Sequence, residues 1–440
     1  MTQTTPRWIT SRLAALGLGV ALALTLLLPA GPGPRAAERE LTIMVWSHFI
    51  PDVDKEFRAN AEEFGKLKGV RVRIDTIDLK QFVAKKAAEA QAQSGHDIIQ
   101  NYGADALVYD NLLVDVSDVV DDLGKRHGGW IPLAEEVAKV GRAWKAVPWY
   151  YYPYPLVVRT DLIAKAGEPL PDSWDDVLRI GKKLKAAGKP VGIQLGHSRD
   201  GNAAMLALLW SYGASVTAKD GKTVTLNSPE TRKAIEFMTR LYKEALPEDA
   251  ISWDDAANNR AFLAGSISMT FNSPSIYKTA MGRDIKVEET GQPLAQAMDH
   301  ILPPKGPVGR FAFADTLSLG IWKFSRNADL AKEFIKFHFE QKQYNKFLEV
   351  AVGYNAPFLK NYRRNPIFTS DPRVNYVDKI AEFEHALGYP GPMTAQAQQI
   401  WDLYIINDMF AFAATGKKSP DEAIRWAEGE IKAIFEGRKQ

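Results

Sequence analysis

The chain has 440 residues and no cysteine, which excludes disulfides, thiol nucleophiles and Cys-ligated metal centres. Its hydrophobic fraction of 46% and charged fraction of 25% are those of a soluble globular protein, and its length exceeds one ordinary core, which predicts two domains. The formal net charge of +2 falls to −1 without residues 1–37, which hold Arg7, Arg12 and Arg35 and no acid, so neither nucleic acid nor an anionic membrane is expected as the main partner.

Arg7 and Arg12 lead into an apolar run over 13–28, and a Pro/Gly-rich segment ends at Ala36-Ala37. This order predicts a secretory signal peptide over 1–37, because the run is shorter than the ~20 residues of a membrane span. Ala30 and Ala36 are alternative cleavage positions, and an uncleaved anchor is the rival reading. No cysteine follows the run, which excludes a lipid-modified start.

Residues 41–46 form an apolar run read as a strand, ending in Trp46-Ser47-His48. Pro51-Asp52 opens a helical pattern with Val53, Phe57, Ala61 and Phe64 on one face. Val70, Val72 and Ile74 alternate with charged residues as in a strand, 79–93 is amphipathic, and 97–100 is a short third strand. Strand–helix–strand–helix–strand predicts an α/β fold with a parallel sheet and right-handed crossovers. Ligands of open α/β sheets sit beyond the carboxyl ends of the strands, here next to Ser47, His48, Asn101 and Tyr102.

The most informative stretch is 147–162, VPWYYYPYPLVVRTDL. Trp149, Tyr150, Tyr151, Tyr152 and Tyr154 crowd into six positions among Pro148, Pro153 and Pro155, so the segment is not a helix interior. Rings with polar tips on a stiff segment suit the flat apolar faces of sugar rings. The plainer alternative is a tyrosine-rich edge of a core. Strand alternation should turn Trp149 and Tyr151 to one face and Tyr152 and Tyr154 to the other.

Beyond it, helices are expected at 178–187, 202–212 and 231–243, with a strand at 191–195. Residues 262–272 read as a helix end, Gly265 and a strand broken by Asn272-Ser273-Pro274. The polar stretch 282–309 reads as loop, 316–322 as a strand, and the last hundred residues as mainly helical.

There is no phosphate loop, no H-E-x-x-H pair and no G-x-S-x-G elbow; GHSRD at 196–200 lacks the second glycine. The seven histidines do not pair at helical spacing. Asp175-Asp176 and Asp254-Asp255 read as solvated helix starts, against the alternative of a glycosidase pair. Tyrosinate iron ligation by Tyr150–Tyr152 lacks supporting His and acid spacing. Trp46 and Trp210 read as core, and His48 as either a site residue or a surface loop.

Taken in order, these segments resemble the periplasmic solute-binding proteins of ABC importers, in the carbohydrate-binding group related to maltose-binding protein. The resemblance rests on LTIMVW after the signal segment, DIIQNYGAD, VPWYYYPYPLVVRTDLIAKAGEPLPDSWDDVL, NRAFLAGSISMTFNSP, RFAFADTLSLGIWKFS, GYNAP at 353–357 and SPDEAIRWAEGEI. It implies a two-lobed α/β fold with discontinuous domains and a ligand cleft between lobes. Lobe one would be 40–153 plus 316–358 and lobe two 156–310 plus 359–440, with hinge crossovers near 152–156 and 310–316.

A sugar needs paired donors and acceptors for its hydroxyls, because an unpartnered buried polar group costs about 1–3 kcal/mol. The expected ligand-binding residues are therefore Ser47, His48, Asn101, Asp105, Trp149, Tyr150, Tyr151, Asn272, Ser273, Asp315, Tyr354, Asn355 and Trp401. Where the maltose-binding relatives place a stacking tryptophan after Asn272-Ser273-Pro274, this chain has Ser275, and Trp253 is the candidate replacement ring.

The resemblance implies a periplasmic, monomeric receptor without catalytic activity, cofactor or metal. It would capture a sugar or polyol by hinge closure and deliver it to an inner-membrane permease. A polyamine, opine or glycerol-phosphate ligand on the same fold is the alternative, because Asp105 and Asp315 leave room for a cationic group. A secreted glycoside hydrolase is the rival from another class.

Overall fold

The computed structural model describes residues 39–438. The expected signal peptide and its cleavage positions lie outside these residues. Strands β1 (Glu40–Trp46), β2 (Arg71–Ile77) and β3 (Ile98–Tyr102) alternate with helices α1 (Pro51–Lys68) and α2 (Leu79–Ala92). β1 pairs in parallel with both β2 and β3, so the first three strands form the expected βαβαβ unit. Helix α1 starts with Pro51 at its first turn and carries Asp52 and Asp54 there. It ends with Lys66, Lys68 and a left-handed Gly69 at φ +64°, each suited to its end of the helix dipole or to its cap. Its buried face is Val53, Phe57, Ala61 and Phe64.

The aromatic segment is strand β4 (Val147–Pro153). Only Tyr154 and Pro155 separate it from β5 (Leu156–Arg159), which belongs to a different sheet. β5 is the centre of a three-stranded antiparallel sheet, flanked by β6 (Met269–Phe271) and β7 (Met298–Ile301). The chain then returns to the first sheet as β8 (Ala312–Ile321), antiparallel to β3 and β4. β9 (Ala356–Pro357) pairs with β4 at the edge, and β10 (Glu384–His385) with the start of β8. The large sheet thus runs β9-β4-β8-β3-β1-β2, and each of the two sheets forms the centre of a lobe.

Helices α3 (Trp174–Ala186), α4 (Arg199–Ser211), α5 (Pro229–Ala245) and α6 (Ala257–Leu263) surround the small sheet. α7 (Ala328–His338) and α8 (Gln341–Ala351) pack on α1. The C-terminal helices α9 (Ala395–Asp402), α10 (Ile405–Ala414) and α11 (Pro420–Phe435) follow, with α10 and α11 packed on α5 and α10 also on α4.

Three local expectations change. Helix α3 begins four residues earlier than expected, because Ser173 accepts from the Asp176 N–H while the Asp176 carboxylate accepts from the Ser173 N–H, a complete capping box. The predicted strand 191–195 makes only one bridge, Val191 to Met269, and Leu195 N–H then turns to Ala250 O. The predicted loop 282–309 contains β7, whose buried Met298 and His300 alternate with half-buried neighbours over just four residues, too short a pattern to stand out.

Alternation in the aromatic strand is also broken. Leu317 faces Tyr150 but Ser318 faces Pro148, so Trp149 is the extra residue of a β-bulge. Beyond the bulge alternation is regular, and Tyr150 and Tyr152 share a face, their hydroxyls 3.3 Å apart. Trp149 enters the lobe-one core, stacked on Phe347 with its Nε1–H donating to His338 Nε2 at 2.9 Å.

Candidate functional site

A cleft of 670 Å³ lies between the two lobes. Phe49, Asp78 and Val83 line it from lobe one; His197, Arg199, Asp254, Asp255, Trp401, Asp402 and Tyr404 line it from the other side. Phe49 and Val83 are apolar yet 42% and 48% exposed, as expected of rings and methyls that wait for a partner.

At the centre is Arg199, the first residue of α4. Ser198 caps that helix by accepting from the Gly201 N–H at 2.9 Å, which turns Arg199 toward the cleft. Its guanidinium donates Nε–H to Asp315 Oδ2 at 3.0 Å and Nη2–H to Asp315 Oδ1 and Oδ2 at 2.8 and 2.9 Å. It also lies 4.6 Å from the ring centre of Tyr102 and 5.4 Å from that of Trp401, within cation–π range of both. Its backbone N–H donates to Asp255 Oδ1 at 2.5 Å.

The next residue, Asp200, is buried. Its Oδ2 accepts from Asn258 Nδ2 at 2.9 Å, and Asn258 also donates to Phe271 O. Burial, followed by repulsion from the Asp255 carboxylate, pushes the Asp200 carboxyl up to about 7; the bond from Asn258 opposes this. Burial raises Asp255 as well, against the pull of Arg199.

Next to this ionic group stands an aromatic wall. The rings of Tyr152 and Tyr354 are 4.5 Å apart, and His48 lies 5.2 Å from Tyr354. Ile50 N–H donates to His48 Nδ1 at 2.9 Å, which leaves Nε2–H to donate to Asn355 Oδ1 at 3.1 Å. Burial pushes the His48 imidazole down to about 4, so it stays neutral near pH 7. On the other rim, His197 stacks on Tyr404 at 4.7 Å and bonds Asp408 at 2.8 Å. Among the described residues no group of three or more His, Asp or Glu side chains is arranged to hold a metal ion, and no helix is long and apolar enough to cross a membrane.

The family described as "Bacterial extracellular solute-binding protein" matches residues 59–375. The chain belongs to that family. It is a solute-binding protein of the ABC-transporter type, and that family is one of transporter binding proteins rather than enzymes. A Deinococcus radiodurans relative named "Probable ABC transporter-binding protein" is 23% identical over 76% of this chain and 82% of its own length. Maltose-bound MalE3 of T. maritima superposes with a TM-score of 0.76 at 21% identity, covering 90% of this chain and 99% of that one. A solute-binding protein of Agrobacterium radiobacter K84 in complex with ribitol gives 0.74 at 20% identity, covering 90% and 99%. At such identities the likeness establishes the two-lobed fold.

In this solute-binding protein the residues expected from sequence fall into separate places. Asp315 and Trp401 meet at Arg199, and Trp401 stacks on Phe313 at 4.6 Å. His48, Tyr150, Tyr354 and Asn355 join the aromatic wall, with Tyr152 between them. Ser273 Oγ reaches Tyr354 O at 3.5 Å, and Asn272 bonds Asn259 at 2.5 Å beside them. Ser47 is exposed, its N–H bonded to Ile77 O.

The others lie away from the cleft. Trp149 is in the lobe-one core, and Tyr151 accepts from Arg363 Nη1 at 2.9 Å on the opposite face of β4. Asn101 alternates away from Tyr102 and Gln100 and is fully buried. The Asp105 carboxylate is bound to Lys86 and to Tyr102 N–H, so it is committed within lobe one. Trp253 lines a separate surface groove with Asp249, Ala257 and Arg260.

Of the cleft lining, sequence reasoning found only Trp401; it missed Arg199, Asp402 and Tyr404 with Phe49, Asp78, Val83, His197, Asp254 and Asp255, and also the buried Asp200 beside Arg199. The available signal was Ser198 ahead of the apolar run 202–212, a helix start that puts Arg199 and Asp200 in the first turn.

Proposed function

We propose that this protein is the receptor of an ABC importer for a small sugar or polyol, closing around it by hinge motion and delivering it to a membrane permease. The observation that carries this reading is the cleft itself, where the rings of Tyr102 and Trp401 flank Arg199, paired with Asp315, and Tyr404 lines the same space. Aromatic faces can pack on sugar C–H groups while ionised side chains hold hydroxyls by charge-assisted hydrogen bonds. The two connections between sheets, two residues at 154–155 and ten at 302–311, support hinge crossovers near 152–156 and 310–316, with lobe one as 40–153 plus 316–358. The receptor would act as an exported monomer, without turnover of its ligand.

Thermal unfolding of the protein against a panel of sugars and polyols tests the reading. A ligand at 100 times its dissociation constant stabilises by about 2.7 kcal/mol, a shift of a few degrees in Tm. A shift without release of product from a chromogenic glycoside supports the receptor; steady turnover refutes it in favour of a hydrolase.

A further inference from the structure

The lobes touch at a buried hydrogen bond beside the cleft. Ala104 N–H donates to Gln398 Oε1 at 2.9 Å, between residues 294 positions apart. Ala104 stands in the turn that follows β3 in lobe one. That turn is fixed from inside its own lobe: Gly103 N–H donates to Thr316 O at 2.9 Å, and Asp105, bound to Lys86, accepts from Tyr102 N–H at 2.7 Å. Gln398 lies on α9, which is held to lobe two. This helix packs on α10 and α11, and its Trp401 O accepts from Asn202 Nδ2 of α4 at 2.9 Å.

Both sides are shaped for the contact. Gly103 has φ +47°, and a Cβ there would collide with Gln398 Oε1, so the approach needs a left-handed backbone without a side chain. The Gln398 amide is oriented by its own Nε2–H, which donates to Asp402 Oδ1 at 2.9 Å, and the residue is only 7% exposed. Two other polar contacts between the lobes, Lys278 to Asp52 and Ser273 Oγ to Tyr354 O, are long at 3.5 Å.

The same helix reaches the cleft. Trp401 and Asp402, one turn beyond Gln398, line it, and Trp401 also stacks on Phe313 near the start of β8. A solute that touches Trp401 or Asp402 and the bond at Ala104 therefore act on one helix. Water can replace each partner when the lobes part, so the bond is reversible and shifts the balance of forms by a modest factor.

Resting on the receptor reading above, we infer that Gln398 is a closure latch, whose bond to the Ala104 turn holds the lobes together and couples closure to the solute through α9.

The chain has no cysteine, so Lys66→Cys on α1 and Lys233→Cys on α5, both at exposed positions, give a spin-label pair with one label on each lobe. Pulsed electron resonance then reads the distribution of lobe separations in the unliganded protein. Gln398→Met keeps the length of the side chain and removes the acceptor. It should lower the ratio of short to long separations about two- to tenfold, the effect of one hydrogen bond. Gly103→Ala should produce the same shift from the opposite lobe, and the double variant should be no more open than the more open single variant. Should Gly103→Ala fold poorly, Gln398→Met decides alone. Unchanged separations in folded Gln398→Met overturn the inference, and a loss of urea stability without that change would assign Gln398 to its own helix. Effects of the two variants that simply add also overturn it. The receptor reading stands or falls separately, on the thermal shifts with sugars and polyols, which need no latch.

Discussion

The guanidinium of Arg199 lies across the carboxylate of Asp315, with nitrogen–oxygen distances of 2.8 to 3.0 Å, although the two residues are 116 positions apart. The contact joins the first turn of a lobe-two helix to the long strand that returns to the large sheet. Both side chains are largely buried, at 15% and 3% exposure, so each neutralises a charge that water cannot reach.

Removal of one partner should therefore cost more than removal of both. Arg199→Met or Asp315→Leu alone is expected to destabilise by about 3–5 kcal/mol, because a buried charge is left uncompensated. The double variant Arg199→Met with Asp315→Leu should lose less than the sum of the single losses. Urea unfolding of the four proteins measures this; strict additivity refutes the coupling.

Tyr102→Phe and Tyr354→Phe remove hydroxyls that have no hydrogen-bond partner among the described residues. Stability should stay within about 0.5 kcal/mol of the parent. Ligand binding should weaken by about 0.5–1.5 kcal/mol per hydroxyl, as measured by calorimetry with the ligand found by thermal unfolding. A stability loss with unchanged affinity would assign these phenols to the fold instead.

Asp200 carries a pH signature. Burial pushes its carboxyl from 3.8 up to about 7, so between those values the folded chain holds a proton that the unfolded chain has released. Its contribution to stability therefore falls as pH rises from 3.8 to about 7 and is level above that, with a slope of at most about 1.4 kcal/mol per pH unit. The difference in urea-unfolding free energy between the parent and Asp200→Asn should shrink across that window. A flat difference would mean that the carboxylate is ionised throughout.

Three buried histidines act in the opposite sense. Burial pushes His48 and His300 down to about 4 and His338 to about 3. The unfolded chain takes up protons first, so stability is lost as pH falls from 6.5 toward these values, by about 1.4 kcal/mol per pH unit for each group. For His338 the cause is burial, and a proton on Nε2 would also break the bond it accepts from Trp149 Nε1–H. His338→Gln, which keeps an acceptor, should have a shallower acid limb in a plot of urea midpoint against pH.

Much of the fold was legible because its signals are local. The apolar run of β1, the one-sided face of α1 and the proline-bounded aromatic strand each declare themselves within a dozen residues. β7 was not legible, since four residues with two buried positions look like loop until β5 is laid beside them. At the site, Asp315 and Trp401 were found from position along the chain, whereas Arg199 was passed over within a motif considered for its absent glycine. Asp105 looked available for a ligand until Lys86, nineteen positions earlier, was seen to hold it.

By itself the sequence determined the class and order of the elements, the segments that link the two sheets, and the family, because periodicity, proline and turn chemistry act between near neighbours. Tertiary structure alone decided which rings face the cleft and which charged groups meet there. One extra residue in β4 sends Trp149 into the core beside Tyr150, and no pattern within the strand reveals where its partner strand forces that bulge. Likewise the field in the cleft depends on how Arg199, Asp255, Asp315 and Asp402, drawn from four separate segments, come together in one place.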